Sequence, residues 1–578
     1  MQRDKFYNIR TINDMKDMIT QSEKLFGSKN AFLIKKEDSY KGITYSEFKS
    51  NIDALGTALL DLGLKGTNIA VIGENRYEWC VTYFGVANGV GVIVPLDKEL
   101  PTPEIENLLL TSKSSAIIFA GKLEQQIKEL APKLSTVKYF INMDGKEDDN
   151  QILSFNRLLE SGKELISKGD NSYIDSKVDP DKMGVLLFTS GTTGHAKGVM
   201  LSHRNLCSNI SSICSVVKIN STDVQLSILP IHHTYECTCG FIGTIYNGGT
   251  IAFCEGLKHI SKNMQEIKPS YLVLVPLLFE NIYKKIWDQA RKERGAITKI
   301  KIALTLSKIL HKGFGIDVRR KLFSKIHDNL GGNVRLIITG AASIEPKVSK
   351  FFDDVGLRIL QGYGLTECSP LVTGNQDKRY KHNALGLPVP GVEVKISNPD
   401  KSGTGEIVVK GPNVMLGYYK NTDATNKCIK DGWFYTGDIG YADKDGFYYI
   451  TGRSKNVIVT KNGKNIFPEE VEAYLNKSPY VEETLVWGDY DEKSGETFVH
   501  ASIVPNFEAI KEKLKVPNIT KDDIMKVIND TIKGINRNMP LYKRIQRISI
   551  RDNEFVKTTS KKIKRYVEEN IEKFNQKK

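Results

Sequence analysis

Short apolar runs alternate with helix-compatible stretches through the first half of the chain. IAVIG at 69–73 is a continuous apolar run closed by glycine, 77–87 has helical character, and GVIVP at 91–95 is strand-like again. That order is a βαβ signature, continued by AIIFA at 116–120 and FIN at 140–142. LLF at 186–188, LVLV at 272–275 and LIIT at 336–339 extend it, each separated by helix-compatible sequence. The alternation predicts an α/β fold with a large N-terminal doubly wound body. From residue 384 the texture changes. VEVKI at 392–396, EIVVKG at 406–411 and FYYITG at 447–452 are short strands punctuated by glycine, which predicts a β-rich subdomain. Beyond 453 it changes again, to a small α+β region. The expected division is an N-terminal domain over 1–452, a hinge at 453–456 and a mobile C-terminal domain over 457–578.

Length agrees, since 578 residues exceed what one hydrophobic core organises. A hydrophobic content of 40% with 26% charged residues fits a globular protein rather than a disordered or fibrous one. The net charge of +14 suits a protein that handles polyanions: nucleotides, coenzyme A, nucleic acid or an anionic membrane. A lysine-rich solvated surface explains the same number equally well. No zinc-finger, RNP or homeodomain pattern accompanies the charge, so nucleic acid is not expected as a partner. The eight cysteines are scattered without a CxxC pair, which predicts a reducing, cytoplasmic setting. Cys237 and Cys239 follow His232 and His233 closely, but at no usual zinc spacing; buried small side chains are the expectation. The charged N-terminus lacks the apolar stretch of a signal peptide. The longest uncharged runs, 79–96 and 237–254, are broken by glycines and read as short elements, not membrane spans.

The strongest chemical signal is FTSGTTGHAKGV at 188–199, between a predicted strand and a predicted helix beginning near His203. Glycines and hydroxyls let backbone N–H groups approach phosphates, and Lys197 adds charge. The GxxxxGK[ST] spacing is absent, which argues against a P-loop NTPase.

This string closely resembles the phosphate loop of the adenylate-forming superfamily, and further motifs resemble that family in the same order. They are TGAAS at 339–343, QGYGLTE at 361–367, TGD at 436–438, TGRSK at 451–455 and TTSKKIKR at 558–565. The resemblance implies ATP, Mg²⁺ and coenzyme A as cofactors. It implies an ATP/AMP site of Thr189, Ser190, Gly191, Thr192, Thr193, Gly194, Lys197, Gly340, Gln361, Gly362, Tyr363, Gly364, Thr366, Asp438 and Arg453. Each role suits the residue's chemistry. Asp438 can accept both ribose hydroxyls, Tyr363 offers a flat ring to adenine, and Arg453 presents a fork of donors. Glu367 is a hard oxygen ligand for Mg²⁺, and Thr366 can donate to the α-phosphate. Lys562 would neutralise the meeting of carboxylate and phosphate. In the family a glycine usually precedes that lysine; here Lys561 does, and Ser560 with 563–565 sets the register on Lys562. Lys455 is the expected hinge, and Gly463 lies in a loop expected to face the active site and pass coenzyme A.

PIHHTYE at 230–236 resembles the long-chain acyl-CoA synthetase branch, with His233 at the histidine beside the carboxylate site. The segment 283–325 carries thirteen Lys or Arg against three acidic residues, interleaved with Ile, Leu, Trp and Phe. It reads either as a peripheral contact with an anionic membrane or as a solvated helical insertion. The implied reaction joins a fatty acid, of long chain, to coenzyme A through an acyl-adenylate with release of pyrophosphate. Three rivals stay open: a fatty acyl-AMP ligase, an acyl-carrier-protein synthetase, and a ligase for an aromatic acid. An acyl carrier protein as partner and a homodimer are left open as well.

Overall fold

The computed structural model describes residues 6–37, 39–149, 151–189, 196–459, 465–491, 496–557, 563–565 and 567. The α/β expectation holds, with one enlargement: the alternating segments build two large sheets rather than one. An apolar run looks the same whichever sheet receives it, so strand periodicity could not divide them.

In the eight-stranded sheet, Asn68–Ile72 lies between Val92–Leu96 and Ser114–Phe119, all parallel. Met183–Thr189 continues beyond Val92–Leu96, and Lys197–Ser202 closes back on it as an antiparallel hairpin. The chain therefore winds first one way and then the other from Asn68–Ile72. Such a reversal opens a crevice at the carboxyl ends of the flanking strands, where ligands bind in doubly wound folds. In the nine-stranded sheet, Tyr271–Leu274, Leu336–Thr339 and Arg358–Gly364 run parallel side by side.

A third sheet, of five strands, contains Glu393–Ser397, Gly405–Lys410, Trp433–Ala442 and Tyr448–Arg453, and is the β-rich subdomain. Beyond it, Val481–Asp491, Glu496–Pro505 and Arg547–Ile550 form a three-stranded sheet with a core of its own, covered by Lys521–Arg537. Among the described residues, no helix is long and apolar enough to cross a membrane.

Buried asparagines fix the loops that carry the site. Helix His203–Val216 starts at Ser202, whose hydroxyl accepts from the Asn205 N–H while the Asn205 side chain accepts from the Ser202 N–H, a capping box. The Asn205 amide also donates to the carbonyls of Pro412 and Val414, at 2.8 and 2.9 Å. One turn later Asn209 donates to the Leu371 carbonyl at 2.8 Å and accepts from the Leu371 N–H at 3.2 Å. Loops carry backbone polar groups that burial would otherwise strand; these amides satisfy them and so set where 366–371 and 412–418 run.

Candidate active site

Two chain segments far apart in sequence meet at Glu367. Thr189 ends one strand of the hairpin and pairs with Lys197 at the start of the other, its hydroxyl 3.4 Å from the Lys197 carbonyl. Gly417–Tyr418 adds antiparallel to the same hairpin, with Tyr418 opposite Val199. This brings the Lys197 ammonium to 4.8 Å from the centre of the Tyr418 ring. The Tyr418 hydroxyl donates to Glu367 Oε1 at 2.8 Å, and the Glu367 carbonyl accepts from the Met415 N–H at 2.8 Å. Burial, together with the Glu367 carboxylate, pushes the Tyr418 phenol well up, so it remains a donor. The Tyr418 contact engages only Oε1 of Glu367, so Oε2 is the oxygen that could hold a hard cation. Tyr418 escaped the sequence reading; its signal was the Gly-Tyr-Tyr run at 417–419, visible only once that strand is placed against Val199.

Glycines form the floor because the backbone is crowded there. A Cβ on Gly364 would lie 2.0 Å from the Pro370 carbonyl oxygen, and one on Gly362 would lie 2.7 Å from Leu371 Cδ1. Gly340 follows the neighbouring strand and faces the Gly362 carbonyl. Gln361 is buried, with its carbonyl accepting from the Asn375 N–H at 2.9 Å. The Thr366 hydroxyl accepts from Thr234 at 3.4 Å.

Asp438 is 2% exposed and held from two sides. The Tyr363 hydroxyl donates to its Oδ2 at 2.7 Å, and Arg453 Nε lies 2.8 Å from its Oδ1. Residues 438 and 453 are register partners in adjacent strands, which is why residues fifteen apart meet. Tyr363 is only 8% exposed, so it can present no more than one face of its ring to a base. Lys455 occupies a short turn directly after Arg453, where the hinge is expected.

Every described residue of the expected set, from Thr189 and His233 to Lys455, lines one cleft of about 4900 Å³. Ser190, Gly191, Thr192, Thr193, Gly194, Gly463 and Lys562 lie outside the described residues. The flanks of Lys562 are tied down: Lys557 bridges antiparallel to Ile563, the Lys564 N–H donates to the Val556 carbonyl at 2.9 Å, and Arg565 pairs with Glu472.

The turn through His232 and His233 leads into a π-helix over Tyr235–Ile242. Tyr235 donates to the carbonyls of Leu274 and Ile338 at 3.3 and 3.0 Å, tying this turn to the floor strands. Glu236 is fully buried; its Oε1 accepts from Ser227 at 2.6 Å and Gln225 at 3.0 Å, while Oε2 has no hydrogen-bond partner among the described residues. Burial pushes its carboxyl up to about 8. Cys237 and Cys239 are free and buried, as their spacing predicted.

The pattern of AMP-binding enzymes matches residues 21–419, and that of the AMP-binding enzyme C-terminal domain matches 455–576. The rat long-chain-fatty-acid–CoA ligase 6 is 31% identical over 510 residues, covering 82% of this chain and 71% of that one. The chloroplastic long-chain-fatty-acid–[acyl-carrier-protein] ligase AEE15 of Arabidopsis thaliana is 27% identical over 85% of this chain and 76% of its own. Among solved structures, the anthranilate CoA ligase AuaEII in complex with anthranoyl-AMP superposes with a TM-score of 0.74 at 20% identity, over 96% of this chain and 97% of that one. The paired sheets and the cleft thus have the architecture of an adenylate-forming enzyme. The chain belongs to the family of AMP-binding enzymes, in its long-chain acyl-CoA synthetase branch.

Two substitutions test the geometry. Tyr418→Phe keeps the ring beneath Lys197 but frees Glu367, and a hydrogen bond to a charged group contributes about 1.5–3 kcal/mol. We expect kcat/KM for Mg·ATP to fall about tenfold or more with little change in melting temperature; an unchanged value would remove Tyr418 from the site. For Glu236, the folded chain holds a proton that the unfolded chain releases between its ordinary value of 4.5 and about 8. Stability therefore falls as pH rises through that window, by up to about 1.4 kcal/mol per unit. Denaturant midpoints at the two ends of the window should shift less in Glu236→Gln than in the parent, and an identical shift would mean that Glu236 does not titrate there.

Proposed function

We propose that this enzyme activates a long-chain fatty acid with ATP and transfers the acyl group to coenzyme A. The observation that carries the reading is the convergence, in one cleft, of a clamped buried Asp438, the Lys197–Tyr418–Glu367 cluster and the His233 turn. In the first step a carboxylate oxygen attacks the α-phosphorus, the bond to the β-phosphate breaks, and pyrophosphate leaves with the electron pair. In the second, the thiolate of coenzyme A attacks the acyl carbon and AMP leaves.

Asp438 takes the ribose hydroxyls, with Arg453 beside it; Tyr363 lies against the base; Lys197 and Thr366 face phosphate oxygens. Mg²⁺, held through Glu367, would offset the phosphate charge. Lys562 supplies positive charge where two anions approach. The hinge at 453–456 lets the domain over 457–578 alternate, so that Lys562 serves the first step and the loop with Gly463 the second. The names of the relatives support both a coenzyme A acceptor and a carrier-protein acceptor, and the position of 283–292 along the cleft supports a lipid substrate.

The two long helices of this region, Pro276–Lys292 and Ala296–Phe314, have different roles. Tyr283 and Trp287 of the first line the cleft and pack on Phe351. On the second, Ile302, Leu306 and Ile309 are 61%, 45% and 54% exposed, and Phe314 is 71% exposed. The spacing of Ile302, Leu306 and Ile309 puts these three on one face, and Lys299 and Lys301 stand nearby in the sequence. An outward apolar stripe flanked by lysines fits an anionic bilayer surface, from which a fatty acid could pass to the cleft.

The decisive assay is coenzyme A-dependent AMP release from ATP across acids from acetate to oleate. We expect a maximum at long chains; pyrophosphate release that ignores coenzyme A would point to a carrier-protein acceptor or an acyl-AMP ligase, and silence to an aromatic acid. Lys562→Ala should lower adenylation about a hundredfold or more while sparing thiolation of supplied acyl-adenylate. Equal loss of both half-reactions would contradict the role given to it. On vesicles, sedimentation with phosphatidylserine should exceed that with phosphatidylcholine alone and drop sharply in the double variant Ile302→Glu/Ile309→Glu. Binding that survives both changes would place the membrane contact elsewhere.

A further inference from the structure

One cluster in the cleft is not absorbed by the proposed reaction. Asp97 directly follows the strand Val92–Leu96, at the carboxyl edge of the eight-stranded sheet. Its Oδ1 accepts from the Glu99 N–H at 2.9 Å, which turns Oδ2 toward His232. Oδ2 and His232 Nε2 stand 3.4 Å apart, and among the described residues that nitrogen has no hydrogen-bond partner although His232 is only 8% exposed. The His233 ring lies beside it, centroids 4.1 Å apart and planes inclined by 49°. One donor atom from each of the three side chains falls within 4.8 Å of the others.

We propose that Asp97, His232 and His233 form a binding site for a borderline divalent cation of the zinc class, distinct in its ligands from the Mg²⁺ position at Glu367. The separation of Oδ2 and Nε2 is long for a hydrogen bond, whose usual range is about 2.7–3.2 Å. It matches the edge of a tetrahedron around zinc, because bonds of about 2.0–2.2 Å to nitrogen and oxygen set neighbouring ligands about 3.4 Å apart. Two imidazoles and one carboxylate are the donor types that zinc takes and that Mg²⁺ seldom does. The Glu99 N–H orients the carboxylate from behind, as supporting hydrogen bonds do in metal centres. Three protein ligands leave a fourth position, and all three side chains line the cleft, so that position is open to water or to a carboxylate ligand. The second of these rests on reading His233 as the group beside the substrate carboxylate; cation binding itself does not.

The test uses the full-length, tag-free chain, stripped with chelator and kept in saturating Mg²⁺. Zn²⁺ binding is followed by calorimetry and Co²⁺ binding by visible absorption, without any assay of activity. We expect about one ion per chain, micromolar or tighter, with ligand-field bands and no thiolate-to-metal charge transfer. Asp97→Asn and His232→Gln should each weaken binding about tenfold or more, with proton release on binding that grows at lower pH. Circular dichroism identifies a variant that fails to fold, and the other then serves. Absence of binding in the parent, thiolate charge transfer, or affinity unchanged in both folded variants would overturn the proposal and leave a buried Asp–His pair. Because no turnover is measured, failure here leaves the fatty-acid reading untouched, and failure of that reading leaves this one standing.

Discussion

A carboxylate as deeply buried as Asp438 is costly unless it is paired and hydrogen-bonded. Its partners come from two directions, and that requirement organises the centre of the molecule. Tyr363 belongs to the strand Arg358–Gly364 of the nine-stranded sheet, and Arg453 ends the strand Tyr448–Arg453 of the five-stranded one. The hydrogen bond from Tyr363 therefore fastens the β-rich subdomain to the α/β body at the floor of the cleft, while the ion pair with Arg453 braces Asp438 from within the five-stranded sheet. Arg453 is also the last residue before the turn that leads to the C-terminal region. A ligand that competed for the Asp438 oxygens would act on the same contact that holds Arg453 at the exit of the chain.

The opposite wall depends on a similar economy. The hairpin of Met183–Thr189 and Lys197–Ser202 is built by strand pairing in the eight-stranded sheet, and the two-residue strand Gly417–Tyr418 binds it to the segment that supports Glu367. Asn205 and Asn209, on one helix, hold both loops through buried amides. This wall of the cleft is thus positioned by backbone pairing and buried polar contacts, both of which are costly to break.

Much of this was legible in the chain. Apolar runs located the principal strands of both sheets, because a strand buried on both faces leaves a continuous apolar signature. The motifs located Glu367, Asp438 and Arg453, and the cleft gathers them. The number of sheets was not legible, since periodicity records burial and not the neighbour that provides it. Tyr418 was missed for a related reason: its role comes from pairing with Val199, more than two hundred residues away. Asp97 carried no motif, and only the meeting of the two large sheets brings it to His232. The exposed face of Ala296–Phe314 was half legible; its lysines were evident, but Ile302 and Ile309 could equally have packed inward.

The most direct measurement is calorimetric titration of ATP into the parent and into Asp438→Asn, which keeps the side chain's shape and removes its charge. We expect affinity to fall about tenfold or more, and the melting temperature to fall as well because the ion pair with Arg453 is lost, in a variant that stays folded. Unchanged ATP affinity in a folded Asp438→Asn variant would contradict the place given to this carboxylate at the centre of the site.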